Sequence, residues 1–177
     1  MADYFVEAKS RRELRKCAEL VRKTFHLEDV VYFPIVQLLD VLGEIFESFS
    51  YEIVEDSELP ANVHGDTDVI SGHIRIKESV YNRACNGKGR DRMTIAHEIC
   101  HYITLCVLGF KLQRNFSGEE ISTCNDPEWQ AKCMAGELMI SKRLVGNKSI
   151  NEIVEACGVS ENAASYQKRK FMEEDEK

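Results

Sequence analysis

The stretch that most restricts this chain is TIAHEICHYITLCVLGF, from Thr94 to Phe110. It is too apolar to lie on a surface, yet it carries two histidines and a glutamate. A buried polar group without a partner costs free energy, so a helix that buries this stretch must bring something to the imidazoles. Residues four apart on a helix share a face, one turn above the other. His97 and His101 therefore point the same way, with Glu98 next to His97, while Ile95 and Ile99 are free to anchor the helix in a core. The rest of the fold has to be arranged around that polar edge.

His97-Glu98-Ile99-Cys100-His101 is the H-E-x-x-H arrangement, in which two imidazoles hold zinc and the glutamate is the general base of a metalloprotease. Zinc lowers the pKa of a bound water to roughly 7, which supplies a nucleophile at neutral pH. The pattern also arises by chance on exposed helices. Here the apolar setting favours the site, as does the scarcity of histidine, with five in the chain. A catalytic zinc needs a third protein ligand and one open position. Glu128, on the next long helix, is the first candidate, although a glutamate in a first helical turn is favoured by the dipole anyway. Glu137 on the same helix is the alternative. Cys100, Cys124 and Cys133 are softer candidates, each better suited to packing.

The chain of 177 residues suits one domain of ordinary size with a small appendage. Its net charge of -7 argues against a whole-chain grip on nucleic acid. No apolar run is long enough for a membrane span, and MADYFVEAKSRRELRK lacks the apolar region of a signal peptide, so a cytoplasmic protein is expected. Seven scattered cysteines without a C-x-x-C pair fit a reducing compartment better than a disulfide framework.

The order of elements follows from caps and periodicity. Ser10-x-x-Glu13 is a capping box, and Leu14, Cys17, Leu20, Val21 and Phe25 recur behind it at helical spacing. A second helix is expected from near residue 34 to about 49. Residues 51–54 and 73–76 read as strands, with a weaker one near Val63 or Val69. The strand at 73–76 is expected at an edge, open to an extended substrate. NGKGRDR, 86–92, reads as a polar loop before the histidine helix, which runs from about Arg92 to Leu108 and stops at Gly109. Residues 111–125 are expected to be irregular. Asp126-Pro127 starts the helix carrying EWQAKCMAGELMI. Helices at 150–157 and 161–171 follow, separated by Gly-Val-Ser, before a frayed tail.

RDRMTIAHEICHYI followed by EWQAKCMAGELMIS resembles the ImmA/IrrE metallopeptidases, whose pattern is close to R-x-R-F-T-I-A-H-E-L-G-H and then E-x-x-A-N-x-F-A-A-E-L-L-M-P. Arg90, Arg92, Thr94, Ile95, Ala96, His97, Glu98 and His101 match the first block; Glu128, Ala131, Ala135, Glu137 and Leu138 match the second. The main departures are Met93, Cys100, Lys132, Met134 and Ser141, none of which removes a ligand. Cys100 puts a thiol beside the metal helix. The resemblance implies His97, His101 and Glu128 as zinc ligands and Glu98 as the catalytic base. It implies an α+β fold, mainly helical and zincin-like, with a small sheet beside the H-E-x-x-H helix. It also implies a protein substrate: a helix-turn-helix repressor of a phage, mobile element or stress regulon, whose cleavage releases transcription.

On this reading residues 1–145 form the metallopeptidase domain and 146–177 a helix-turn-helix-like extension. In the extension Ala156, Val159 and Ala163 are expected to pack the corner. Lys168, Arg169 and Lys170 are balanced by Glu152, Glu155 and Glu161, so DNA binding through 149–171 is disfavoured. The competing reading is a transcription regulator or sensor that keeps the zincin-like body without proteolysis. The groups proposed from sequence for oxyanion stabilisation are His64, His73, Tyr81 and Arg90, beside the zinc itself.

Overall fold

Ser10 starts the first helix as its sequence requires. In the computed structural model, which describes residues 4–116 and 120–175, α1 (Arg11–Thr24) is closed by a reciprocal cap. Ser10 Oγ accepts the Glu13 amide at 3.3 Å and the Glu13 carboxylate takes the Ser10 amide at 2.8 Å. Leu14, Ala18 and Val21 form its buried face, while Leu20 faces solvent instead of joining the stripe. α2 (Ile35–Ile45) buries Ile35, Val36, Leu38, Leu39 and Leu42. It ends short of the expected residue 49 because Phe46 turns extended. Phe46 and Phe49 then both set their rings edge-on to Tyr102, at 6.1 and 4.7 Å between centroids.

Three strands follow. β2 (Ser50–Val54) lies parallel to β4 (His73–Lys77), and β3 (Gly65–Asp68) lies antiparallel to it, in the order β2-β4-β3. The expectation of an edge position for residues 73–76 is therefore corrected. β4 is the central strand, with Ile74 and Ile76 fully buried, and the open edges belong to β2 and β3. β3 falls between the two positions suggested for a weak strand. A two-residue ribbon pairs β1 (Tyr4–Phe5) with β5 (Gln113–Arg114), which the sequence did not announce. The irregular stretch expected over 111–125 otherwise holds a 3-10 turn (Thr123–Asn125), and residues 117–119 of it lie outside the described residues.

α3 (Glu78–Cys85) leads into α4 (Gly89–Tyr102), the histidine helix. It begins inside the segment read as a loop, and it continues past Tyr102 as a π-helical turn (Ile103–Val107) before Gly109. α5 (Pro127–Met139) starts at the expected Asp126-Pro127, with Asp126 Oδ1 accepting the Glu128 amide at 2.9 Å. α6 (Lys142–Val145), α7 (Ile150–Cys157) and α8 (Glu161–Asp175) complete the chain as described, α8 extending beyond the expected 171; the last two residues of the expected frayed tail lie outside the description.

The architecture is α+β and mainly helical. α4 lies at its centre, with α5 along one side and β3 along another, while α1 covers the outer side of α5. Ile95, Ile99, Met134, Leu138 and Ile74 belong to one continuous apolar core, and so do Ile153, Cys157, Val159, Ala164 and Phe171 of the C-terminal helices. The corner of that pair is filled by Cys157, Val159 and Ala164, with Ala163 only partly buried. No helix among the described residues is long and apolar enough to cross a membrane.

Candidate metal centre

α4 and α5 pack side by side, and this contact brings the polar edge of one to the first turn of the other. His97 Nε2 is 3.2 Å from Glu128 Oε2, His101 Nε2 is 3.4 Å from Glu128 Oε1, and the two Nε2 atoms are 3.1 Å apart. Among the described residues this is the one group of three or more histidine, cysteine, aspartate or glutamate side chains placed to hold a metal ion. The rings of His97 and His101 stand nearly perpendicular, at 84°. The cluster is graded in depth: the His101 side chain is 3% exposed, that of His97 25% and that of Glu128 43%. One side of the group thus faces solvent. Hydrogen bonds from His101 and His97 hold the Glu128 carboxyl far below the usual carboxylate range. His101 Nδ1 is buried without a hydrogen-bond partner among the described residues.

Glu98 leaves α4 in a different direction. It is 7% exposed and faces β3, where the Thr67 hydroxyl donates to its Oε2 at 2.7 Å. It is outside the three-residue cluster.

The alternative ligands are elsewhere. Glu137 sits on the α1 side of α5 with a fully buried side chain, 2.8 Å from Arg11 Nη1 and 2.7 Å from Arg15 Nε. Burial pushes the Cys100 thiol up, and it pushes Cys133 up to about 12, so both are poor sources of thiolate. Cys124 lies 3.3 Å from Ser122 Oγ. Of the four residues suggested for an oxyanion, two meet each other and two are engaged elsewhere. His73 is tied to Ser50 Oγ at 2.8 Å, and Tyr81 sits beside Cys85. His64 and Arg90 contact each other at 3.2 Å.

Two contributions escaped the sequence reading. Thr67 meets Glu98 only because β3 pairs with β4 in one register, and no local pattern marks it. Arg92, noted before only as part of a motif, is 2% exposed and acts as a clamp. It donates to Phe33 O at 2.7 Å and to Gly158 O at 2.9 Å, and its guanidinium lies 3.9 Å from the centroid of the Tyr32 ring. Gly158, at φ +62°, is the left-handed cap between α7 and α8, and a Cβ there would run into the same Tyr32 ring. The apolar texture of the helix gave no sign that an arginine inside it would be buried. Compared with protein-family models, with curated proteins and with solved structures, the chain has no match.

Proposed function

We propose that the chain is a zinc-dependent endopeptidase with a zincin-like body of the ImmA/IrrE kind, which works in the cytoplasm and cleaves a helix-turn-helix repressor to release transcription. The observation that carries this reading is the convergence of His97, His101 and Glu128, each offering a ligand atom within 4.8 Å of the others. Ligands about 2.0–2.1 Å from a tetrahedral zinc are about 3.3–3.4 Å from one another. The 3.1 Å between the two Nε2 atoms is close to one edge of such a shell, each Nε2 has a different Glu128 oxygen at 3.2 or 3.4 Å, and two imidazoles with one carboxylate are a donor set that zinc takes in hydrolases. The solvent-facing side of the cluster suits the open position that catalysis requires.

Zinc, when bound, supplies the acidity that makes water a nucleophile near neutral pH. His97, His101 and Glu128 would hold it. Glu98, one residue along from His97, takes the proton from the attacking water and returns it to the leaving amine. The cysteines, all free, agree with a reducing compartment. The repressor substrate rests on the resemblance of the two sequence blocks.

The test uses the full chain with a co-encoded repressor. The wild type is expected to bind one zinc and cleave the repressor. Glu98→Gln is expected to bind zinc equally and leave the repressor whole. A wild type that binds zinc but cuts nothing would turn the assignment toward the sensor reading.

A further inference from the structure

We infer that Thr67 is a positioning residue for Glu98, fixing the carboxylate of the base in one orientation from the neighbouring strand. The inference rests on the hydrolase reading and adds a residue to it. A general base works only with its oxygen in hydrogen-bond reach of the proton it takes. A glutamate side chain has several rotatable bonds, so something must hold it.

β3 does so with two residues. Gly65 and Thr67 are two apart on a strand and therefore share a face, and both meet Glu98. At Gly65 the approach is close enough that a Cβ would lie 3.2 Å from Glu98 Cγ and 3.1 Å from the carbonyl of Arg75. Glycine leaves the carboxylate stem its space. At Thr67 the hydroxyl lies 2.7 Å from Glu98 Oε2 and 3.2 Å from the Glu98 carbonyl. A hydroxyl has one proton to give, and the shorter contact is to the carboxylate. Among the described residues no other side chain hydrogen-bonds to that carboxylate, so its second oxygen is left for the reacting proton.

The donor is itself fixed. Thr67 is β-branched and stiff at χ1. Its strand is pinned by the antiparallel register with β4, Thr67 opposite Ile74 and Gly65 opposite Ile76, and both isoleucines are fully buried.

The test compares Thr67→Val, which keeps the shape and loses the donor, with Thr67→Ser, which keeps the donor. The substrate is the fastest-cleaved member of an internally quenched peptide library. Thr67→Val is expected to lower kcat roughly 10- to 100-fold, as loss of a supporting hydrogen bond does, with KM and zinc affinity unchanged. Thr67→Ser is expected to restore most of kcat. A second readout needs neither metal nor substrate. In urea unfolding of the metal-free chain, Thr67→Val should destabilise the wild type and have little effect in a Glu98→Ala background.

An unchanged kcat, a change confined to KM, or additive effects in the urea cycle would each overturn the inference. If Thr67→Val does not fold, Thr67→Ser against Thr67→Ala carries the same comparison. A zinc-loaded wild type that cleaves no peptide defeats the hydrolase reading and the positioning role with it. Normal cleavage by both wild type and Thr67→Val defeats the positioning role alone.

Discussion

Glu128 and Glu137 stand about two and a half turns apart on α5, so their side chains leave the helix on opposite faces. One meets the histidines of α4 and the other meets the arginines of α1. Replacing Glu128 by alanine is expected to weaken zinc binding by roughly tenfold or more, read by competition with a chromogenic chelator. Undiminished affinity would remove it from the ligand set. Glu137→Ala should leave zinc binding alone and cost about 1–3 kcal/mol in urea unfolding, since Arg11 and Arg15 each lose a carboxylate partner while Arg15 keeps Glu174. Loss of metal in that variant would reopen its candidacy as a ligand. The sequence made the two histidines legible because helical spacing alone puts them together. It made Glu128 the first candidate and Glu137 the alternative. Which of their two faces meets α4 is set by packing, which the local sequence does not show. Thr67 was not legible at all, since its contact depends on strand pairing across the sheet.

At the level of elements, α1 and α8 are joined by Arg15, which bridges Glu137 and Glu174. Partial burial tends to raise the Glu174 pKa, but the hydrogen bonds and charge of Arg15 outweigh it and leave the carboxyl below its ordinary value. A folded-state value below the unfolded one, about 4.3, means the contribution is present above that pH and fades as pH falls through the folded value. Glu174→Gln should therefore be less stable than the wild type at pH 7, with the gap closing below about pH 4. A gap that persisted unchanged at pH 3 would mean the side chain matters for its packing and not its charge. Caps and helix starts were readable wherever a local signal sets them, as at Ser10 and Asp126. The failures were non-local. The central place of β4 and the early end of α2 both follow from what packs against them, namely the buried isoleucines and the Tyr102 ring.

For the whole molecule, the question is whether the C-terminal helices are a reading head or part of the body. Their basic side chains are already engaged: Lys168 donates to Gly146 O at 2.6 Å, Lys170 pairs with Glu173 at 2.6 Å and Arg169 approaches Glu173 at 3.7 Å. On a chain of net charge -7 this leaves little for phosphate. The full chain is expected to show no nanomolar binding to a random-sequence duplex pool in anisotropy titrations at physiological salt, and enrichment of one sequence would show that it reads DNA. The clamp at Arg92 has a consequence for how the protein is made. Its acceptor on Gly158 lies 66 positions further along the chain. During synthesis the histidine helix therefore emerges long before one of the two carbonyls that its arginine bonds exists. Until then the guanidinium has the Phe33 carbonyl and the Tyr32 ring, both made earlier, but not its second acceptor. A polypeptide stalled before the turn after α7 therefore carries every proposed zinc ligand and the Phe33 half of the clamp, and still lacks the half that ties the histidine helix to the C-terminal helices.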